Sequence, residues 1–133
     1  MKYLLDTNAF IRYVNGSSQS ILNKVLEVGD HNIAVSAISR AELSYGVTKS
    51  KRCEFTQALH ESFLRRIETI DFDSTAASYH GTQRIRLEQQ GDMIGTYDLL
   101  IACIALASDL ILVTHNVREF SRIEGLRFED WEV

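Results

Sequence analysis

The chain has 133 residues, of which 45% are hydrophobic and 24% charged, and this fits one globular domain (residues 1–133) with a substantial core. Its net charge of −4 excludes a uniformly basic nucleic-acid-binding surface, although it allows an acidic pocket with basic residues around it. No apolar run is long enough to cross a bilayer and no signal peptide is recognisable, so we expect a cytoplasmic protein with no membrane partner.

The N-terminal segment predicts a short buried strand that leads directly into a helix. Residues 3–5 are an apolar run, and Asp6, Thr7 and Asn8 behind it have side chains that can cap the free N–H groups of a helix. The helix is expected over residues 8–15, with Gly16 as its C-cap. Asp6 therefore stands at the carboxyl end of a strand, where open α/β sheets place their ligands.

The rest of the chain alternates between helices and apolar segments. Further helices are predicted after Ser17 or Ser18 as far as Gly29, from Ser36 to about residue 47, over 54–67, from Asp73 or Ser74 to about residue 90, over 97–108, and as a turn at 117–120. Strands are predicted over 33–35, 67–70 and 110–113, with an extended piece over 126–131 as a candidate edge strand. Gly46 lies near the end of a predicted helix, where glycine lowers helix propensity, and this suggests either a packing reason or the close approach of another group. Apolar strands separated by helices are typical of an α/β fold, here a central parallel sheet of four to five short strands with helices on both faces.

Three acidic residues occupy positions that a parallel sheet would bring together at its C-terminal edge. Asp6 ends the first strand, Glu42 lies in the helix after the second strand, and Asp98 opens the apolar helix 97–108. Carboxylates at one place suit Mg²⁺ or Mn²⁺, and the two cysteines and four histidines show no zinc or redox spacing. The alternative is that the two aspartates only cap helices and that the glutamate is an ordinary surface residue.

Polar residues follow the last strong strand as they follow the first. Thr114 and Asn116 come directly after the strand 110–113, and Glu119 lies one helical turn beyond Asn116, so it could point the same way. Capping of the short helix at 117–120 is the alternative role for Thr114 and Asn116.

Taken in order, these segments resemble the PIN-domain ribonucleases, and most of all the VapC toxins of bacterial toxin–antitoxin pairs. The matching segments are Leu5-Asp6-Thr7-Asn8, Ala41-Glu42-Leu43 with Gly46, Gly95 through Asp98-Leu99 to Ile101-Ala102, and Leu112-Val113-Thr114-His115-Asn116 with Glu119-Phe120. The resemblance implies an endoribonuclease dependent on Mg²⁺ or Mn²⁺, with Asp6, Glu42 and Asp98 as metal-binding acids. It also implies a homodimer, a VapB-type antitoxin and, by analogy with enteric systems, cleavage of initiator tRNA in the anticodon stem-loop.

The chain departs from the family pattern at Asn116, where many PIN domains carry a fourth acid. An amide is a neutral and poorer ligand, so a second metal would be held weakly unless Glu119 contributes. In this interpretation Asn116 belongs to the catalytic set, while Thr7, Asn8, Thr114 and Glu119 orient ligands or solvent around it.

Two other functions remain open from the sequence. A PIN-like fold with Asn116 could bind RNA or a protein partner with little turnover, using the apolar residues of the early helices as a groove: Phe10, Ile11, Leu22 and Val25. The simpler interpretation is that these residues belong to the core. An aspartyl-phosphate phosphotransfer domain is less favoured, because Asn8 stands where a phosphatase needs an acid and no lysine follows Lys51.

Overall fold

The computed structural model describes all 133 residues, and its centre is a parallel sheet of five strands in the order β3-β2-β1-β4-β5. The strands are β1 Tyr3–Leu5, β2 Ile33–Ser36, β3 Glu68–Ile70, β4 Ile111–Val113 and β5 Phe128–Glu129. Every neighbouring pair is parallel, so all carboxyl ends meet at one edge of the sheet. The predicted α/β fold is confirmed.

Seven helices connect and cover the strands. They are α1 Thr7–Asn15, α2 Gln19–Val28, α3 Ala37–Lys49, α4 Cys53–Leu64, α5 Ser74–Gln90, α6 Thr96–Ser108 and α7 Val117–Phe120, with a 3₁₀ turn at Asp30–Asn32. Asp6, Ser18, Ser36 and Asp73 cap four of them through their side chains, as the sequence predicts. None of the helices combines the length and the apolar character that crossing a bilayer requires.

Each face of the sheet carries its own hydrophobic core. Leu5 points to the core formed with α1, α2 and α4, whereas the adjacent Leu4 points to the core formed with α5 and α6. Helix α6 is buried along most of its length, as its apolar sequence predicts. Phe10 and Val25 are also core residues, with 0% and 4% of their surface exposed, so a partner groove built on them is not supported.

The C-terminal segment forms the expected edge strand. β5 pairs with β4 in parallel, and Trp131 behind it packs edge-on against Tyr3, with ring centroids 5.0 Å apart. Strand β5 is only two residues long, which leaves Asp130 and Glu132 at the same end of the sheet as the residues that follow β4. Asp130 and Glu132 thus lie beside the predicted site.

Two local predictions are wrong. The helix expected over 54–67 ends at Leu64, because Ile67 is buried in the core as the chain turns into β3 and does not continue the helical face. At Gly46 an added Cβ would meet no atom within 4 Å, so no close approach explains this glycine.

Candidate metal-binding active site

Asp6 is held at the carboxyl end of β1 and is almost fully buried. Its Oδ1 accepts a hydrogen bond of 2.8 Å from the backbone N–H of Ala9, so the carboxylate caps α1. Burial raises the pKa of Asp6, and the negative charges of Glu132 and Glu42 add to this rise. Hydrogen bonds from the Thr114 hydroxyl and the Ala9 amide act in the opposite direction. Asp6 therefore both caps α1 and belongs to a cluster of acidic residues.

Glu42 is oriented by a chain of hydroxyl groups that runs from β2 to α1. Thr7 Oγ1 donates to Glu42 Oε1 at 2.7 Å, so the hydrogen bond of 2.8 Å between Thr7 and Ser39 must come from the serine hydroxyl. Ser39 in turn accepts from Ser36 Oγ at 3.3 Å, while its own backbone N–H donates to Ser36 Oγ. Every hydroxyl in the chain donates toward the carboxylate, which fixes the direction in which Glu42 points.

Asp98 lies in the first turn of α6, where the helix dipole favours a negative charge. Its carboxylate folds back over the start of the helix, since a Cβ added at Gly95 would lie 3.4 Å from Asp98 Oδ2. The pKa of Asp98 is raised to about 6, and burial of the carboxyl is the largest cause. The charges of Glu119, Asp6 and Glu42 and a hydrogen bond to Glu119 raise it further, so these acids form one electrostatic unit.

Asn116 and Glu119 contact each other directly. Asn116 Nδ2 donates to Glu119 Oε2 at 2.8 Å, and the Asn116 backbone N–H donates to Thr114 Oγ1 at 2.9 Å. The Asn116 side chain does not cap α7, which removes the alternative role for this residue. Asn8 is exposed and its side chain forms no hydrogen bond, so its supporting role stays a prediction.

Four acids therefore surround this edge of the sheet, and we refer to them as the carboxylate group: Asp6, Glu42, Asp98 and Glu119. No lysine, arginine or histidine nitrogen lies within 4.0 Å of any of them, although ion pairs occur all around the rest of the surface. The neutral side chains that form hydrogen bonds with these acids are hydroxyls, from Thr7 and Thr114, and one amide, from Asn116. An all-oxygen set of uncompensated negative charges suits a hard divalent cation such as Mg²⁺ or Mn²⁺.

The acids of the carboxylate group are spaced more widely than the ligands of a metal ion that is bound by protein atoms alone. No three of its members have ligand atoms that all lie within 4.8 Å of one another. Mg²⁺ ordinarily binds one or two carboxylates directly and keeps several waters, so this spacing fits that ion.

A second set of charged side chains lies next to this group, and we refer to it as the C-terminal clasp: Arg12, His115, Asp130 and Glu132. The ligand atoms of its three potential metal-binding residues are within 4.8 Å of one another. However, Arg12 Nη1 is 2.7 Å from Glu132 Oε1, and His115 Nδ1 is 2.9 Å from Asp130 Oδ2. Because basic side chains already occupy both carboxylates, the clasp fastens the C-terminus to α1 and to the segment after β4.

Comparison with known proteins decides what kind of domain presents this site. The PIN domain family model matches residues 3–126. The chain belongs to the PIN-domain family. It is 44% identical to ribonuclease VapC2 of Rickettsia felis over 133 residues, 99% of each chain. It is also 37% identical to the tRNA(fMet)-specific endonuclease VapC of Shigella flexneri, over 98% of each chain.

Solved structures of PIN-domain toxins share the whole fold. VapBC2 from Rickettsia felis, crystallised with a DNA fragment from its promoter, matches with a TM-score of 0.92 over 98% of this chain and 99% of that chain, at 44% identity. DNA-bound VapBC from Salmonella typhimurium gives a TM-score of 0.92 at 37% identity, covering 98% of each chain. The resemblance to VapC ribonucleases of toxin–antitoxin systems is thus confirmed, and an aspartyl-phosphate domain is left without support.

The hydroxyl chain to Glu42 contains residues that sequence reasoning missed as part of the site. Ser36 was recognised only as a helix cap, and Ser39 was not singled out. A signal existed, because Ser36 caps α3 and each of the steps from 36 to 39 and from 39 to 42 spans three residues, a spacing that makes side chains neighbours on a helix. The position of Glu132 near Asp6 had no comparable signal, since it depends on the placement of a two-residue strand.

Proposed function

We infer that this chain is a divalent-metal-dependent endoribonuclease that hydrolyses a phosphodiester bond in RNA and is neutralised by a cognate antitoxin. The observation that carries the proposal is the carboxylate group, four acids that share one edge of the sheet without a basic partner. Its all-oxygen chemistry fits Mg²⁺, with Mn²⁺ as a substitute. The homologous VapC ribonucleases support the reaction class.

Each member of the carboxylate group has its own task in this proposal. Asp6 and Asp98 would hold the ion directly, and Glu42 would hold either the ion or one of its waters. When bound, such an ion lowers the pKa of a water molecule and offsets the charge that develops on the scissile phosphate. Thr7 keeps the Glu42 carboxylate in place through its hydrogen bond of 2.7 Å, and Thr114 does the same for Asp6.

Glu119 supplies the fourth carboxylate that Asn116 lacks. Hydrogen bonding through Nδ2 ties the Asn116 amide to Glu119, which leaves the amide oxygen available as an acceptor. The charge of Glu119 is the first among those that raise the pKa of Asp98, which supports its placement close to that ligand. The departure at Asn116 is therefore compensated within one turn of α7.

For the substrate we propose tRNA, with the anticodon stem-loop of initiator tRNA as the specific target. The relatives from Shigella flexneri and Salmonella typhimurium are named tRNA(fMet)-specific endonucleases, and each is 37% identical to this chain over 98% of its length. The homologous VapBC complexes support a VapB-type antitoxin as partner. We further propose a homodimer and a cytoplasmic setting for the toxin.

The test is cleavage of end-labelled initiator tRNA by the purified chain in EDTA, in Mg²⁺ and in Mn²⁺, with an elongator tRNA as comparison. We expect one dominant cut in initiator tRNA that appears only with a divalent ion. Equal cutting in EDTA would contradict the metal dependence, and equal cutting of both tRNAs would contradict the substrate.

A binding module with little turnover is the second candidate, because Asn116 replaces an acid of the family pattern. The same experiment separates it from the enzyme. If the tRNA is retained in a mobility-shift assay but stays intact after prolonged incubation with Mn²⁺, the chain binds RNA without cutting it.

A further inference from the structure

Two large aromatic side chains are exposed directly beside the carboxylate group. Tyr45 on α3 is 65% exposed, and Tyr97 on α6 is 57% exposed. Together with Ala41 and Glu42 they line a pocket of about 360 Å³. Glu42 also belongs to the carboxylate group, so the pocket and the proposed site of cleavage share this side chain.

Neither tyrosine contributes to the interior of the protein. Both lie outside the two hydrophobic cores, and neither phenol oxygen forms a hydrogen bond. They come from different helices, α3 and α6, and form walls of one pocket whose fourth side chain is the small Ala41. Packing and folding therefore do not account for two exposed aromatic rings at this place.

The charges around the pocket match a nucleotide better than an apolar protein side chain. One wall is the Glu42 carboxylate, which an apolar group would have to desolvate. Lys49 Nζ lies 4.9 Å from the centre of the Tyr45 ring, where it places a positive charge beside the aromatic surface. An unpaired nucleotide presents an apolar face, a polar edge and a negatively charged phosphate, and so fits all three features.

We propose that Tyr45 and Tyr97 form a nucleobase-stacking subsite, which takes an unpaired base that flanks the scissile phosphate. This rests on the proposed ribonuclease function, since the phosphate must lie at the carboxylate group for its neighbouring base to reach the pocket. Stacking would also select for single-stranded substrate, because a base inside a duplex cannot enter. The subsite positions the substrate and takes no part in bond cleavage.

The first experiment compares alanine and phenylalanine variants in cleavage of an RNA stem-loop with Mn²⁺. We expect Tyr45→Ala and Tyr97→Ala each to raise KM by roughly tenfold, because base–aromatic stacking is lost, while kcat changes less. Tyr45→Phe and Tyr97→Phe keep the ring and should retain the wild-type KM. Phe55→Ala on α4 is the matched control, since Phe55 is equally exposed, at 58%, and does not line the pocket.

The second experiment reads the stacked base directly and does not require cleavage. 2-Aminopurine is placed in turn at each unpaired position of the stem-loop, and its fluorescence is followed as protein is added with Ca²⁺, which can offset the charge of the acids in place of Mg²⁺ or Mn²⁺. At one position we expect quenching with the wild-type chain and the phenylalanine variants, and none with the alanine variants. Removing the base at that position should raise the wild-type KM without further effect on the alanine variants.

Three results would overturn the subsite: alanine variants with wild-type KM, additive losses from the missing base and the missing ring, or a change of oligomeric state in the alanine variants. The last would show that this face packs against a second copy of the chain. Failure of the proposed ribonuclease function has a different signature, namely a wild-type chain that quenches the probe and leaves the RNA uncut.

Discussion

The carboxylate group and the C-terminal clasp lie side by side at the same edge of the sheet. The clasp contains basic side chains that contact its carboxylates, whereas the carboxylate group contains none. In the clasp, Arg12 Nη1 lies 2.7 Å from Glu132 Oε1 and supplies a counter-charge, and His115 Nδ1 forms a hydrogen bond of 2.9 Å with Asp130 Oδ2. In the carboxylate group no basic side chain lies within 4.0 Å, and burial together with the neighbouring negative charges raises the pKa of Asp98 to about 6.

We interpret this difference as one between a structural set of charges, the clasp, and a ligand-binding set, the carboxylate group. Partly exposed ion pairs such as those of the clasp contribute about 1 kcal/mol or less each, and they are satisfied without any bound ion. Uncompensated acids destabilise the folded state, and a fold has no structural reason to gather four of them. This is why we propose that the carboxylate group serves to bind a cation.

The largest effect that would test this comparison is on cleavage. Asp98→Asn keeps the size of the side chain but removes a charge from the carboxylate group, so we expect the cleavage rate with Mg²⁺ to fall on the order of 100-fold or more. Asp109→Asn is the matched control: it lies at the opposite end of α6, its side chain is 93% exposed, and asparagine tolerates its left-handed backbone at φ 53°. A fully active Asp98→Asn variant with wild-type circular dichroism would remove Asp98 from the site.

The next effect is on stability in the presence of metal. An ion that binds only the folded chain stabilises it by about 2.7 kcal/mol at a concentration of 100 times its Kd. Thermal unfolding in EDTA and in increasing Mn²⁺ should therefore show a rising Tm for the wild-type chain. The rise should be much smaller for Asp98→Asn. A wild-type Tm that does not change with Mn²⁺ concentration would contradict metal binding.

A smaller effect concerns pH in the absence of metal. The folded chain holds the Asp98 proton up to a pH of about 6, whereas the unfolded chain releases it near the ordinary value of 3.8. The folded state thus binds more protons between these values, and the contribution of Asp98 to stability falls as pH rises through this window. In EDTA at pH 7.5, Asp98→Asn should be more stable than wild type by about 1–2 kcal/mol, after allowance for solvent screening.

Denaturant unfolding at several pH values checks this prediction. The advantage of Asp98→Asn should shrink as pH is lowered and vanish near pH 4, where wild-type Asp98 is protonated in the folded chain. If Asp98→Asn were less stable than wild type at pH 7.5, the Asp98 carboxylate of the wild-type chain would have to be stabilised in the absence of metal, contrary to this prediction.

The smallest effect belongs to the clasp. Glu132→Gln removes the ion pair of 2.7 Å with Arg12, and it should lower the free energy of unfolding by about 1 kcal/mol or less. Most of the dependence of Tm on Mn²⁺ should remain, because in our proposal Glu132 is not a ligand and contributes only a neighbouring negative charge to Asp6. If Glu132→Gln abolished the Mn²⁺ effect, the division between the two regions would be wrong.

Much of the scaffold could be predicted from local patterns. Apolar runs place β1, β2 and β4 within a residue of their observed bounds, and the continuous apolar sequence of α6 indicates its interior position. Parallel strands then bring Asp6, Glu42 and Asp98 to one edge, so the joint position of these acids follows from topology. The error at the end of α4 arose because Ile67 continues a helical spacing while belonging to the turn into β3.

The parts that could not be predicted depend on contacts between distant segments. The hydrogen bond from Thr7 to Glu42 joins residues 35 positions apart and requires α1 to pack against α3. The clasp requires β5 to add to β4, and a two-residue strand has almost no sequence signal. The pocket between Tyr45 and Tyr97 likewise forms only where α3 meets α6.

Crystals of the chain soaked in Mn²⁺ and measured for anomalous scattering would test the central claim most directly. We predict a strong anomalous peak bound by oxygens of Asp6 and Asp98, with none at the clasp and none in Asp98→Asn crystals. A peak held by His115 and Asp130, or no peak at millimolar Mn²⁺, would contradict the assignment of the carboxylate group as the metal site.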